Sequence, residues 1–324
     1  EKENMNLVLE GLQEGVVAVD EQGAFLHVNT AAREMLGEDT PEMESLTNAL
    51  QGDEPEGRIV KGSHIYSYAI SLLPGEEDGK PRGKVALIRD VTKEELLEKT
   101  RRDYVANISH ELRTPLASIR GLAEGLRDGV VTEENDKQRY YQIITGEVTR
   151  LSRLVNDLLE LSSLQSNPAS FEMEKVDPNE LIWELHDRNV RLFEKAGIRF
   201  LCEMPEGELP MILSNEDRLS QVLTIFLDNA RKFTGEGGTV ALGAAQAENG
   251  VSFYVRDTGI GMDAETVKMA FERFHQGEAG RSNKGSGLGL SIAREIFKKM
   301  GVEIQVESQP GKGSTFRFVI PHQV

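Results

Sequence analysis

A histidine followed at once by a carboxylate, with a Thr-Pro pair one helical turn on, is a residue set suited to nucleophilic chemistry. The chain carries it in Asn107-Ile-Ser-His-Glu-Leu-Arg-Thr-Pro-Leu116. Near neutral pH an imidazole is largely neutral and keeps a lone pair on one ring nitrogen. That nitrogen of His110 can attack a phosphorus atom and hold the phosphoryl group covalently, and Glu111 can accept the ring proton as it leaves. Two blander readings start from the same residues. A histidine on a helix is commonly just a polar surface group. A zinc site of the His-Glu-x-x-His kind needs a second imidazole one turn on, and that position holds Thr114.

A second set of residues lies toward the C-terminus. Asp228-Asn-Ala-Arg-Lys-Phe-Thr234 falls on a helical stretch whose Leu219, Val222, Leu223 and Phe226 form a buried face. Asp257-Thr-Gly-Ile-Gly261 follows a strand, Phe271-Glu-Arg-Phe274 comes next, and Gly285-Ser-Gly-Leu-Gly-Leu290 opens a helix. No Gly-x-x-x-x-Gly-Lys-Ser/Thr occurs, so this is not a P-loop. The glycines after Asp257 imitate a dinucleotide fingerprint, but that reading explains neither Asn229 nor the second glycine loop.

The elements that must position these groups fall into three regions. In the first, residues 1–92, Glu14–Asp20 and Ala24–Val28 read as a hairpin about a Glu21-Gln-Gly23 turn. A short helix from Thr30 to Leu36 is closed by Gly37, and strand patterns recur at His64–Leu72 and Lys84–Arg89. In the second, residues 93–167, apolar residues at Leu112, Leu116, Ile119, Ala123 and Leu126 share a heptad rhythm with Ile144, Val148, Leu151, Val155 and Leu158. Gly129 and Thr132–Lys137 make the turn between two helices, and Pro115 should kink the first. Two such hairpins, paired about a two-fold axis, can bury both stripes in a four-helix bundle. The third region, residues 168–324, mixes helices with alternating strands such as Val251–Arg256 and Ser314–Ile320.

Composition narrows the function. The 324 residues suffice for two or three domains, and 39% hydrophobic content is that of a folded chain. A net charge of −17 argues against nucleic-acid partners. The lone Cys202 excludes an internal disulfide and a cysteine metal cluster, and fits a reducing, cytoplasmic setting. No apolar run reaches membrane-spanning length, although a start at Glu1 leaves room for an upstream membrane anchor.

The stretch from His110 to Leu116 resembles the H-box of sensor histidine kinases. The four C-terminal motifs resemble, in order, the N, G1, F and G2 boxes of GHKL-type ATPases, a group that includes histidine kinases, gyrase-type enzymes and Hsp90-type chaperones. Gly15-Val-Val-Ala-Val-Asp20 and Asn29-Thr-Ala-Ala resemble a PAS sensor; a cysteinyl-flavin photosensor is excluded there for want of cysteine, and His27 or His64 is an alternative haem ligand. The resemblance implies a multidomain α+β chain: a PAS-like α/β sensor, a dimerising helical hairpin, and a GHKL (Bergerat-type) α/β sandwich. It implies autophosphorylation of His110 by ATP, transfer to an aspartate of a separate response regulator, and a homodimer. Asn229 would hold Mg²⁺, whose hard oxygen ligands include amides. Lys232 would set a charge against the phosphates, Phe233 would lie on the adenine face, and Asp257 would accept from the adenine amino group. Gly259 and Gly261 would admit the base closely. Gly285, Gly287 and Gly289 would form a mobile lid whose N–H groups cradle phosphate. Thr114, on the face of His110, would orient a water for removing phosphate from the regulator. One position departs from the family: Ile225 stands where a second asparagine is common, which puts metal geometry in doubt.

Overall fold

The computed structural model describes residues 7–52, 54–74, 81–166, 171–275 and 286–322. The chain divides into two units, Glu1–Ala106 and Asn107–Val324.

In the first unit, β1 (Gly15–Asp20) and β2 (Phe25–Val28) form the expected hairpin, with Gly23 at φ 82° in its turn. The Asp20 carboxylate caps that turn by accepting from the amides of Gln22 and Ala24, each at 2.9 Å. α1 (Thr30–Leu36), α2 (Pro41–Gln51), β3 (Glu56–Lys61), β4 (His64–Pro74) and β5 (Pro81–Asp90) follow. All neighbours in the sheet, ordered β2-β1-β5-β4-β3, run antiparallel. Leu36, Leu46 and Leu50 from the two helices pack on Val17, Val19 and Ile88 of the sheet. Asn29 is fully buried and wholly used. Its Oδ1 accepts from the amides of Val16 and Ala32, capping α1, while its Nδ2 donates to the carbonyls of Leu9 and Glu14. A buried amide with every bond made fixes its surroundings more tightly than an apolar side chain could.

Strand β5 passes almost directly into α3 (Thr92–Arg127). The joint is tied three ways. The Thr92 amide donates to the Asp90 carboxylate at 2.9 Å, the Ile65 amide donates to the Thr92 hydroxyl at 2.9 Å, and the Val91 amide donates to the Ile65 carbonyl at 2.9 Å. The Thr92 bonds hold the Asp90 pKa below the usual carboxylate range. The helix continues through Pro115 without a break.

In the second unit, α3 turns through Gly129 (φ 68°) into α4 (Glu134–Ser166). Beyond it lie β6 (Glu174–Val176), α5 (Pro178–Lys195), β7 (Arg199–Glu203), β8 (Ile212–Ser214) and α6 (Glu216–Phe233). Then come β9 (Thr239–Ala247), β10 (Gly250–Asp257), α7 (Ala264–Met269), α8 (Gly289–Met300), β11 (Ile304–Gln309) and β12 (Gly313–Pro321). The main sheet has the order β11-β12-β10-β9-β7, antiparallel except for the parallel pair β7–β9; β6 and β8 form a separate ribbon. Residues Leu219, Val222, Leu223, Phe226, Leu227 and Ala230 give α6 one continuous apolar face at helical spacing. That face packs on the sheet, where the rings of Phe226 and Phe316 stack with centroids 5.0 Å apart. The C-terminal half of α4 belongs to the same core through Leu154, Leu161 and Leu164. Other apolar residues of the hairpin remain in solvent: Leu116 is 54% exposed, Val148 47% and Val155 44%. The expected domain boundary after residue 167 falls outside the described residues.

Candidate active site

His110 lies on α3 with its side chain exposed. Thr114 is one turn further along, and its hydroxyl donates to the His110 carbonyl at 3.2 Å. That bond lies in the turn where Pro115, itself buried, cannot donate an amide hydrogen. Glu111 is half-buried, and Nη2 of Arg150 on α4 donates to its Oε2 at 3.2 Å. An ionised carboxylate can accept at both oxygens, so one remains for a proton acceptor's role.

Asp228, Asn229, Lys232 and Phe233 sit in the last turns of α6; at about 100° per residue Asp228 and Lys232 point away from the Phe226 face, while Asn229 and Phe233 stay on its side and are half-buried. They face a cavity of about 400 Å³. Its wall also includes Asp257, Gly261, Gly287 and Gly289, so seven of the residues singled out from the sequence as nucleotide-binding meet around one space. Gly259 is not in that wall, and Gly285 falls outside the described residues.

Asp257 ends β10 and is 7% exposed. Its Oδ1 accepts from the Gly259 amide at 2.8 Å and the Ser314 amide at 3.3 Å. Burial pushes its pKa up, and the two amides partly offset that. The glycines beside it answer to packing. A Cβ at Gly259 would come within 2.3 Å of the Phe233 carbonyl oxygen, and one at Gly261 within 1.9 Å of the Gln309 carbonyl oxygen. Gly261 also stands at φ 65°, which favours glycine. The close approach these residues allow is therefore to the chain's own backbone.

Asn229 presents a buried Nδ2 with no hydrogen-bond partner among the described residues. Lys232 is half-buried; burial lowers its pKa, and Asp228 opposes that shift. Ile225 lines the same cavity, and a Cβ at Gly289 would lie 3.3 Å from its Cγ2. An apolar group thus abuts the last glycine of the loop where an amide would have faced the ligand. Phe271 meets Phe316 edge-on at 6.4 Å, as a core residue would. Phe274 holds φ 59° while its amide donates to the Gly287 carbonyl at 3.0 Å, joining the phenylalanine motif to the glycine loop.

Among the wall residues that the sequence reading missed are Arg153 and Asp157 of α4. Their only sequence signal is helical spacing from Arg150, the residue paired with Glu111. Asp157 accepts from the Ser286 hydroxyl at 2.7 Å, and burial pushes its pKa up.

Three families match the chain in order. Residues 3–49 match the PAS fold, 100–167 the His Kinase A (phospho-acceptor) domain, and 214–324 the histidine kinase-, DNA gyrase B- and HSP90-like ATPase. Sensor histidine kinase WalK of Bacillus subtilis (strain 168) is 31% identical over 344 residues, which cover all of this chain and 56% of WalK. The chain thus spans about half the length of the curated relatives it matches. Among solved structures, histidine kinase ThkA in complex with response regulator TrrA superposes with TM-score 0.58 at 24% identity, over 98% of each chain. Full-length ShkA in complex with AMPPNP gives TM-score 0.51 at 32% identity, over 68% of this chain and 46% of that one. With a PAS fold, a phospho-acceptor domain and an ATPase domain following one another along its length, the chain carries the domain series of the two-component sensor histidine kinases it resembles.

Proposed function

We propose that this chain is an ATP-dependent protein histidine kinase that phosphorylates itself on His110 and passes the group to an aspartate of a separate response regulator. A ring nitrogen of His110 forms a bond to the γ-phosphorus of ATP as the bond to the bridging oxygen breaks and ADP departs. Glu111, steadied by Arg150, takes the ring proton. The observation that carries this reading is the single cavity lined by Asn229, Lys232, Phe233, Asp257 and Gly287, in the same unit as an exposed His110.

Within that cavity Asp257 is the acceptor for the adenine amino group and Phe233 the ring beside the base. Lys232 and the glycine loop of Gly285, Gly287 and Gly289 face the phosphates. The Asn229 amide, whose Nδ2 has no partner among the described residues, would fit Mg²⁺ at its oxygen and a phosphate oxygen at its nitrogen; the ion would neutralise charge on the transferring group. Thr114 is placed to orient a water against a regulator's aspartyl phosphate, a phosphatase role. Residues 1–92 serve as sensor, 93–167 as dimerising phosphotransfer hairpin and 168–324 as ATP-binding domain. The exposed Leu116, Val148 and Val155 support a homodimer. The regulator-bound ThkA, of the same fold, supports a response-regulator partner. Among the described residues no helix is long and apolar enough to cross a membrane.

Ile225 favours a second reading, a non-catalytic dimeric scaffold. Incubation with Mg-ATP separates the two. A kinase acquires a phosphoryl group that is labile in acid and stable in base; its absence at millimolar ATP establishes the scaffold.

A further inference from the structure

Helix α4 carries a stripe of charge at spacings of three, four and three residues: Arg150, Arg153, Asp157 and Glu160, all on one helical face. Three members are committed. Arg150 binds Glu111 beside the phospho-accepting histidine, Asp157 accepts from Ser286 at the glycine loop, and Glu160 pairs with Arg218 of α6. Arg153 lies between the first two and lines the nucleotide cavity. It faces Lys232 across that space closely enough for its charge to disfavour the lysine's own, adding to the effect of burial. Two cations in one partly buried cavity repel, and an anion between them relieves the cost. The chain itself supplies carboxylates there: Asp228, which acts more strongly on Lys232, and Asp157, whose charged form Arg153 and Lys232 both favour against the desolvation that opposes it.

We propose that Arg153 is a phosphate-binding residue of the nucleotide site, contributed by the hairpin, and that Asp157 stands in for the terminal phosphate until ATP enters. The inference rests on the reading of the cavity as an ATP site. Arg153 is about 4.5 Å along the helix axis from Arg150, at 1.5 Å per residue. The stripe therefore connects the phosphate end of the cavity with the level of Glu111. A guanidinium there meets a polyanion with fixed, directional donors. Ser286 then exchanges its carboxylate partner for a phosphate oxygen, which couples nucleotide binding to the contact between α4 and the glycine loop.

The test is calorimetric titration of the whole chain with Mg-ATP, Mg-ADP and adenosine. Arg153→Ala should raise the Kd for ATP by about tenfold or more, the loss expected of one charge-assisted hydrogen bond. ADP should suffer less and adenosine not at all. Asp157→Asn removes the competing carboxylate and should tighten ATP binding. The opposite signs matter, because residues that merely docked α4 on the ATP-binding fold would shift affinity the same way. Arg153→Lys keeps the charge and should recover much of the ATP affinity, which guards against a misfolded alanine variant. Wild-type ATP affinity in Arg153→Ala overturns the proposal, as does equal weakening for all three ligands. If the unaltered chain binds ATP and Asp257→Asn does not, that overturning leaves the kinase reading standing. If the unaltered chain binds no nucleotide, both fall.

Discussion

The chemistry turns on a few side chains whose surroundings set their behaviour. His110 is exposed, as the proposed phospho-acceptor role requires. His110→Gln should abolish autophosphorylation while nucleotide affinity stays near wild type, because His110 is not in the cavity wall. Phosphorylation of that variant would remove the assignment. Glu111→Gln should slow the reaction by about 10²–10⁴-fold, the usual contribution of a positioned base; an unchanged rate would assign the proton elsewhere. Asp257 offers a pH test. Its pKa is raised, chiefly by burial, so it takes up a proton at higher pH than a free aspartate near 3.9. ATP affinity should fall as pH drops through that raised value, and Asp257→Asn should be weaker throughout but flat across the same window. For stability the sign reverses. A raised carboxyl pKa favours the fold most at low pH, and that contribution is lost as pH rises through the folded value. At this scale the sequence was informative wherever a residue's role is written in a local motif. Asn229, Lys232, Asp257 and Gly287 sit in short boxes and meet as those boxes implied. Arg153 and Asp157 were invisible because a charged helix face ordinarily faces solvent; only the packing of Leu154, Leu161 and Leu164 turns that face toward the cavity.

Among the elements, those with strong periodicity were legible. The strand patterns at 64–72 and 84–89 became β4 and β5, each a few residues longer, and the short helix ended at Gly37 as read. α2 was overlooked although its signals are present. Thr40 caps it by accepting from the Met43 amide, Pro41 starts it, and Met43, Leu46 and Leu50 keep helical spacing. β3 buries one residue, Ile59, so no alternation marked it out. Helix α6 carries the most consequence, because it makes part of the core along its length and lines the site in its last turns. Phe226→Ala should cost about 3–5 kcal/mol, the range for a fully buried aromatic, and equilibrium denaturation measures it. Nucleotide affinity should fall with it, since Asn229 and Lys232 depend on that packing. A loss below about 1 kcal/mol would mean the core repacks around the gap.

For the whole molecule, the heptad stripes predicted two hairpins in one bundle, and the exposed Leu116, Val148 and Val155 are what such a pairing would cover. Leu116→Glu combined with Val155→Glu should yield a monomer by sedimentation, since facing charges in a two-fold contact repel. A dimer that survives both changes would place the interface elsewhere. The joint between β5 and α3 has a further consequence. A loop between two elements absorbs change by rotating its own dihedrals, and here Val91 alone separates strand from helix, with its amide bonded to Ile65 and Thr92 tied to Asp90. No slack remains there. A ligand that tilted β4 or β5 would move the first turn of α3 with them. The joint therefore works as a weld rather than a hinge: the start of α3 takes its angle from the sheet, with no need for any bond between them to break.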